Sequence, residues 1–307
     1  MRSDGSKPLS ADPARTVENS PELWLDHFPW PRKDTHKYAR GHLGVFSGGA
    51  SMTGAARLSA RGGARVGAGA VTILSPPSAM LVNATQLTAI MVRSIADWDA
   101  VQASHEKGKC RAYVLGPGFG DFDRARRYVS GILELEDGPS LVLDADGITA
   151  FRDEPDSLFK ASAEGTLRVI LTPHEGEFGR LFPDLPEDDA LLRVEKAGQA
   201  AKRASAVVIL KGEESVIASP DGRVALNRNA TPFLATAGSG DVLSGFCGGL
   251  LAQEMPPFEA ACAAVWLHAE VATRFGPGLI AEDLPEGLPA VLAELAPEVY
   301  RPRGGGR

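Results

Sequence analysis

Residues 234–252, "LATAGSGDVLSGFCGGLLA", set one carboxylate, Asp241, between a glycine-rich turn and a long apolar run. Gly238 and Gly240 can take backbone angles closed to other residues, so the N–H groups around Ser239 can converge into an anion-binding nest. A helix starting here adds the free N–H groups and the positive dipole end of its first turn. The combination suits a phosphate or an oxyanion. A carboxylate beside a bound phosphoryl group can take the proton of an attacking hydroxyl. The plainer alternative is that Asp241 or Ser239 only caps the helix, a role worth about 1 kcal/mol. A cap needs one side chain, whereas this stretch offers a three-residue nest as well.

Other polar motifs follow apolar runs in the same way. "LKGEESVI" (210–217) places Lys211 and Gly212 past a strand, where the lysine can reach an anion and the glycine lets the backbone approach it. "LTPHEGEFGRLF" (171–182) breaks a strand at Pro173 and offers His174 and Glu177 about one helical turn apart. The histidine could contact a ligand and the glutamate hold metal-bound water, or the acidic residues could simply favour a helix N-terminus. "LGPGFG" (115–120) is a glycine-proline turn, and "LVLDADGI" (141–148) carries Asp144 and Asp146, which either share a face or sit as solvated strand ends. "FSGGASMTGAARLSARGGARVGAG" (46–69) is a glycine-rich turn running into an Ala/Gly-rich helix able to pack closely. It fits neither the dinucleotide GxGxxG nor the Walker spacing.

Elements able to position these motifs can be read from the pattern. Six apolar runs, at 43–47, 70–74, 112–116, 141–145, 168–172 and 206–210, alternate with helix-like stretches, which predicts a parallel sheet covered on both faces. "SVIASPDGRVALN" (215–227) reads as a hairpin, an antiparallel addition at one edge. Helices are expected over 240–253, 257–274 and 287–296. In such sheets ligands bind beyond the carboxyl ends of the strands, where all these motifs fall.

Residues 1–35, rich in Pro, Asp, Ser and Arg with aromatics in "ELWLDHFPWP", are expected to form a leader or linker that lies on the domain without joining its core. The domain proper spans 36–300, and "RPRGGGR" (301–307) is a disordered tail. A chain of 307 residues with 44% hydrophobic content can bury one large α/β core. Its 32 basic and 39 acidic residues give a net charge of −7, which excludes a general positive field for nucleic acid or an anionic membrane. Cys110, Cys247 and Cys262 are too scattered for a disulfide framework or a zinc site. With neither a signal-peptide core nor a membrane-spanning run, a cytoplasmic protein with reduced thiols is expected.

Together, "HKYARGHLGVFSGGASMTGAARLSARGGARVGAGAVTI" (36–73), "VLGPGFG" (114–120), "LVLDADGITAF" (141–151), "LTPHEGEF" (171–178), "VVILKGEESVIASPDG" (207–222) and "LATAGSGDVLSG" (234–245) resemble the ADP- or ATP-dependent NAD(P)H-hydrate dehydratases. The resemblance implies a ribokinase-like three-layer fold, with a mostly parallel sheet between helices and an antiparallel edge hairpin. It implies nucleotide-driven dehydration of the S-epimer of NADHX or NADPHX, the hydrated dinucleotides, back to NADH or NADPH. Asp241 then matches the carboxylate facing the hydrate, and Gly238, Ser239 and Gly240 the anion hole. Lys211, Gly212, Glu213, Glu214 and Ser215, with Gly240, match the adenine-nucleotide contacts, and Ala55, Gly118 and His174 the hydrate contacts. By analogy with the wider fold, Glu177 supports Mg2+ through water.

Met52 stands where relatives usually carry an aromatic, Ser239 replaces a common Thr, and Glu213 and Glu214 add negative charge beside the nucleotide. The implied partners are NAD(P)HX and ADP or ATP, a second copy in a homo-oligomer, and an epimerase domain or protein. Residues 1–35 are too short for such a domain and are similar to the linker of two-domain relatives. Two other functions use the same residues: a ribokinase-like kinase for a small alcohol or vitamin precursor, and a non-catalytic nucleotide-binding regulatory module.

Overall fold

The computed structural model describes residues 16–32, 35–164, 168–185 and 193–300. Ten strands form a single sheet: β1 (Thr16–Glu18), β2 (His42–Phe46), β3 (Ala70–Ser75), β4 (Met91–Ser94), β5 (Ala112–Leu115), β6 (Ser140–Leu143), β7 (Val169–Leu171), β8 (Val207–Leu210), β9 (Ser215–Ala218) and β10 (Val224–Asn227). Their order is β1-β10-β9-β8-β7-β6-β5-β2-β3-β4. From β4 across to β8 every pairing is parallel. Only β9 runs the other way, antiparallel to both β8 and β10.

All six apolar runs are strands, because a parallel strand buried on both faces has no polar side to break its run. The β9–β10 hairpin forms as expected, but it is not the last pair of the sheet. β1 adds beyond it, parallel to β10, with Thr16 opposite Val224. Residues 16–32, expected to lie on the domain without joining its core, are therefore part of its sheet and core. After β1, helix α1 (Pro21–Trp24) buries Trp24 completely in the core, against Phe28 and Trp266. Residues 1–15 and the tail at 301–307 lie outside the described residues.

Alternate side chains of each strand feed two cores. Leu43, Val45, Val114 and Ile209 face one, closed by α2 (Thr53–Arg65), α10 (Ser239–Ala252), α11 (Pro257–Phe275) and α12 (Asp283–Leu295). Phe46, Tyr113, Leu115 and Leu210 face the other. There α4 (Trp98–Gly108), α5 (Phe122–Leu133), α7 (Pro155–Glu164), α8 (Glu175–Leu181) and α9 (Arg193–Ala204) cover the sheet. Two short helices, α3 (Met80–Gln86) and α6 (Asp146–Thr149), follow β3 and β6.

α10 is buried from Val242 to Ala252 and lies directly on α2. The two backbones touch at glycine: a Cβ at Gly245 would fall 2.1 Å from the Ser59 carbonyl oxygen. That close approach, with a hydrogen bond from Ser59 Oγ to the Asp241 carbonyl (2.8 Å), fixes the N-terminal end of α10 at the rim of the sheet.

Candidate active site

α10 opens at Gly238, whose φ of 88° is left-handed, and no side chain caps the helix. Asp241, in the first turn, is thus free of the capping role that the sequence left open. The Ser239 N–H is turned back to Thr236 O at 3.3 Å. Among the described residues, the Gly240 and Asp241 N–H groups have no hydrogen-bond partner, so they remain available at the positive end of the helix. A side chain at Gly238 would begin 2.6 Å from Leu58 Cδ1, so the turn needs glycine for space as well as for its φ.

The strand ends converge on this turn. Lys211, just past β8, sends Nζ to Asp144 Oδ1 at 2.8 Å, and Ser244, on α10, donates to Asp144 Oδ2 at 2.6 Å. Both groups lie close to Gly240: a Cβ there would sit 3.6 Å from Lys211 Nζ and 3.8 Å from Asp144 Oδ2. Asp144, expected as a solvated strand end or half of a carboxylate pair, is only 2% exposed. Burial pushes its carboxyl up, but the Lys211 ammonium and the hydroxyls of Ser244 and Thr172 more than offset this and hold it below the usual range. Ala145, between Asp144 and Asp146, takes a left-handed φ of 46°, so the two carboxylates part. Asp146 turns away to accept the Gly120 N–H at 2.8 Å.

Asp241 feels this arrangement from the side. Burial raises its pKa most, the Asp144 charge raises it further and Lys211 opposes both, so the carboxyl is pushed up to about 6. A carboxylate poised there is a better proton acceptor near neutral pH than an ordinary one.

His174 and Glu177 form a reciprocal capping box at the start of α8. His174 Nδ1 accepts from the N–H groups of Gly176 (3.0 Å) and Glu177 (3.3 Å), while Glu177 Oε2 accepts the His174 N–H (2.9 Å). Both residues thus serve the helix, as the plainer expectation had it, and Glu177 also reaches the site. Glu177 Oε2 lies 3.9 Å from Lys211 Nζ, and burial raises the Glu177 pKa despite that lysine. Among the described residues, no three His, Cys, Asp or Glu side chains could cage a metal ion. Asp144 spends its two oxygens on Lys211 and Ser244, which leaves Glu177 as the carboxylate that could hold a Mg2+ ion through water, with phosphates supplying most of its shell.

Beside the α10 turn lies a cavity of about 710 Å³ lined by Lys211, Gly212, Glu213, Ser215, Ser239 and Gly240, all expected as ligand contacts. Of the expected nucleotide contacts only Glu214 lies outside this lining, its carboxylate pairing with Arg228 at 3.0 Å, and Gly238, Asp241, Ala55, Gly118 and His174 are not part of the lining either. Ala55 and Gly118, expected to contact the hydrate, are neighbours, a Cβ at Gly118 falling 3.3 Å from the Ala55 Cβ. Ala55 is one turn of α2 before Ser59, which holds Asp241. Asn227, Thr231, Leu243, Val265 and His268 also line the cavity, and they, like Ser244 on Asp144, are not among the site residues expected from the sequence. Ser244 and His268 left a trace, as lone polar residues inside apolar helices.

The architecture is that of the ribokinase-like fold, with the candidate site on the rim of its sheet. The architecture matches a ribokinase-like superfamily protein of Enterococcus faecalis V583 with a TM-score of 0.77 at 20% identity, over 95% of this chain and 99% of that one. It also matches the ADP/ATP-dependent NAD(P)H-hydrate dehydratase of Bacillus subtilis, co-crystallized with ATP/Mg2+, at TM-score 0.77 and 26% identity over 91% and 99%. Residues 43–286 match the NAD(P)H-hydrate dehydratase family, and the chain belongs to it. It is 34% identical over 247 residues to the ADP-dependent (S)-NAD(P)H-hydrate dehydratase of Neisseria meningitidis serogroup B, covering 78% of this chain and 79% of that protein. The bifunctional NAD(P)H-hydrate repair enzyme Nnr of Salinibacter ruber is 37% identical over 291 residues, covering 89% of this chain and 52% of that protein. This chain therefore spans about half the length of its bifunctional relatives.

Proposed function

We propose that the protein restores NADH and NADPH from the S-epimers of NADHX and NADPHX, consuming ADP or ATP. The observation that carries this reading is Asp241: a carboxylate with no capping duty, raised to about 6, beside open helix N–H groups and the end of a nucleotide-sized cavity.

Lys211 and the backbone of Gly212 hold the nucleotide so that its terminal phosphoryl group meets the start of α10. Asp241 takes the proton of the ring hydroxyl, the hydroxyl oxygen bonds to phosphorus, and the bond from phosphorus to the nucleotide's bridging oxygen breaks. The Gly240 N–H and the helix dipole meet the charge on the phosphoryl oxygens. Phosphate is a far better leaving group than hydroxide. The ring-nitrogen electron pair then expels it, and loss of a proton from the adjacent carbon restores the dihydronicotinamide. Magnesium, held by the phosphates and by Glu177 through water, would neutralise phosphate charge. Ala55, Gly118 and His174 line the approach of the hydrate.

In this reading an epimerase domain or protein supplies the S-epimer, the enzyme works in the cytoplasm, and it assembles as a homo-oligomer. No helix among the described residues is long and apolar enough to cross a membrane. The test is to add ADP or ATP with Mg2+ to purified hydrate and follow the near-ultraviolet absorbance of the dihydronicotinamide. Nucleotide-dependent recovery with release of phosphate is expected. Accumulation of a phosphorylated alcohol without release would instead mean a kinase.

A further inference from the structure

α11 presents one polar side chain to the cavity, His268, which is 6% exposed. Its Nε2 lies 2.9 Å from the Ser239 carbonyl oxygen and 3.2 Å from Ser239 Oγ. A carbonyl oxygen can only accept, so Nε2 must carry a proton. The same N–H faces the hydroxyl oxygen, which therefore accepts as well. The hydroxyl hydrogen of Ser239 is left free to turn into the cavity. With the proton on Nδ1 instead, the hydroxyl would donate to Nε2 and be lost to any ligand.

We propose that His268 is a positioning residue that fixes the polarity of the Ser239 hydroxyl, keeping its hydrogen available to the phosphoryl group in transfer. The inference rests on the function proposed above. Phe246 packs edge-on against the imidazole, with ring centroids 6.2 Å apart, and limits its rotation. Burial lowers the histidine pKa to about 4, so the ring stays neutral at working pH and adds no charge beside the phosphates.

Two measurements test this. Nitrogen-15 NMR of the wild-type chain reads the tautomer directly. A neutral ring protonated on Nε2 at about neutral pH is expected, and a ring protonated on Nδ1 or on both nitrogens would overturn the proposal. In kinetics, His268→Leu should lower kcat about 10-fold or more while the nucleotide KM moves by less than about 3-fold. His268→Gln, which can still present an N–H, should restore most of kcat. In a Ser239→Ala background, His268→Leu should cost no more than about 2-fold further. An equal loss with and without the Ser239 hydroxyl, or no loss in His268→Leu, would contradict the assignment. NMR does not depend on turnover, so a wild-type chain inactive on the hydrate would sink the functional reading while the tautomer is still decided.

Discussion

Asp241 is in conflict with its surroundings in the folded protein. Burial and the nearby Asp144 charge disfavour its ionised form, raising its pKa from the ordinary carboxylate range to about 6. A raised carboxylate pKa means that the folded state holds its proton more tightly than the unfolded chain does. Wild-type stability should therefore fall as pH rises from about 4 through about 6, and the penalty persists above that. Asp241→Asn removes it. Thermal or urea unfolding should show the variant stabler than wild type by about 1–2 kcal/mol at alkaline pH, after discounting for partial exposure, and no stabler in acid. Stability sacrificed at a working residue is a common mark of an active site. The nest and Asp241 were legible because glycine spacing and a carboxylate at a helix start are local features. The Lys211–Asp144 pair was not, because 67 residues separate its members and only the β6-β7-β8 strand order brings them together.

At the level of elements, the site depends on how closely α10 lies on α2. Gly245→Ala would drive a methyl group into the Ser59 carbonyl at 2.1 Å, and both partners there are backbone, so the helices must part. Overpacking of this kind costs about 1–3 kcal/mol. Because Ser59 also holds the Asp241 carbonyl, the same shift moves the carboxylate, and a displacement near 1 Å can cost about 100-fold in rate. A falling kcat with little change in nucleotide affinity, read by steady-state kinetics and calorimetry, is the expected pattern. The Ala/Gly-rich stretch at 46–69 announced a helix built for close packing, but nothing local names its partner. Strands show the same limit. The central ones stand out as apolar runs, whereas β4 is an edge strand whose Met91 is half-exposed and whose sequence includes Arg93, and β1 has three residues. Neither leaves a pattern long enough to read.

Across the whole molecule, the ligand motifs share one rim because every central strand is parallel, and this is why their positions after apolar runs were enough to group them. What composition concealed is how far the N-terminal stretch takes part. Its Pro, Ser and charged residues suggest a loose leader, yet β1 extends the sheet and Trp24 is wholly buried beside Trp266 of α11. Trp24→Ala should destabilise the protein by about 3–5 kcal/mol in chemical denaturation, as for any large buried aromatic, whereas a surface leader would lose almost nothing. α11 also carries His268, so the aromatic cluster supports the helix that walls the cavity beside α10. All these parts serve one claim, that Asp241 is the base for the hydrate hydroxyl. Its most direct test is the pH dependence of nucleotide-driven NADH recovery in wild type and Asp241→Asn, with nucleotide binding measured alongside. The wild-type rate should rise with pH through about 6 and level off, and the variant should bind nucleotide but turn over slower by about 100-fold or more. A variant turning over at a near-normal rate with the same pH profile would contradict the role of Asp241 as the base.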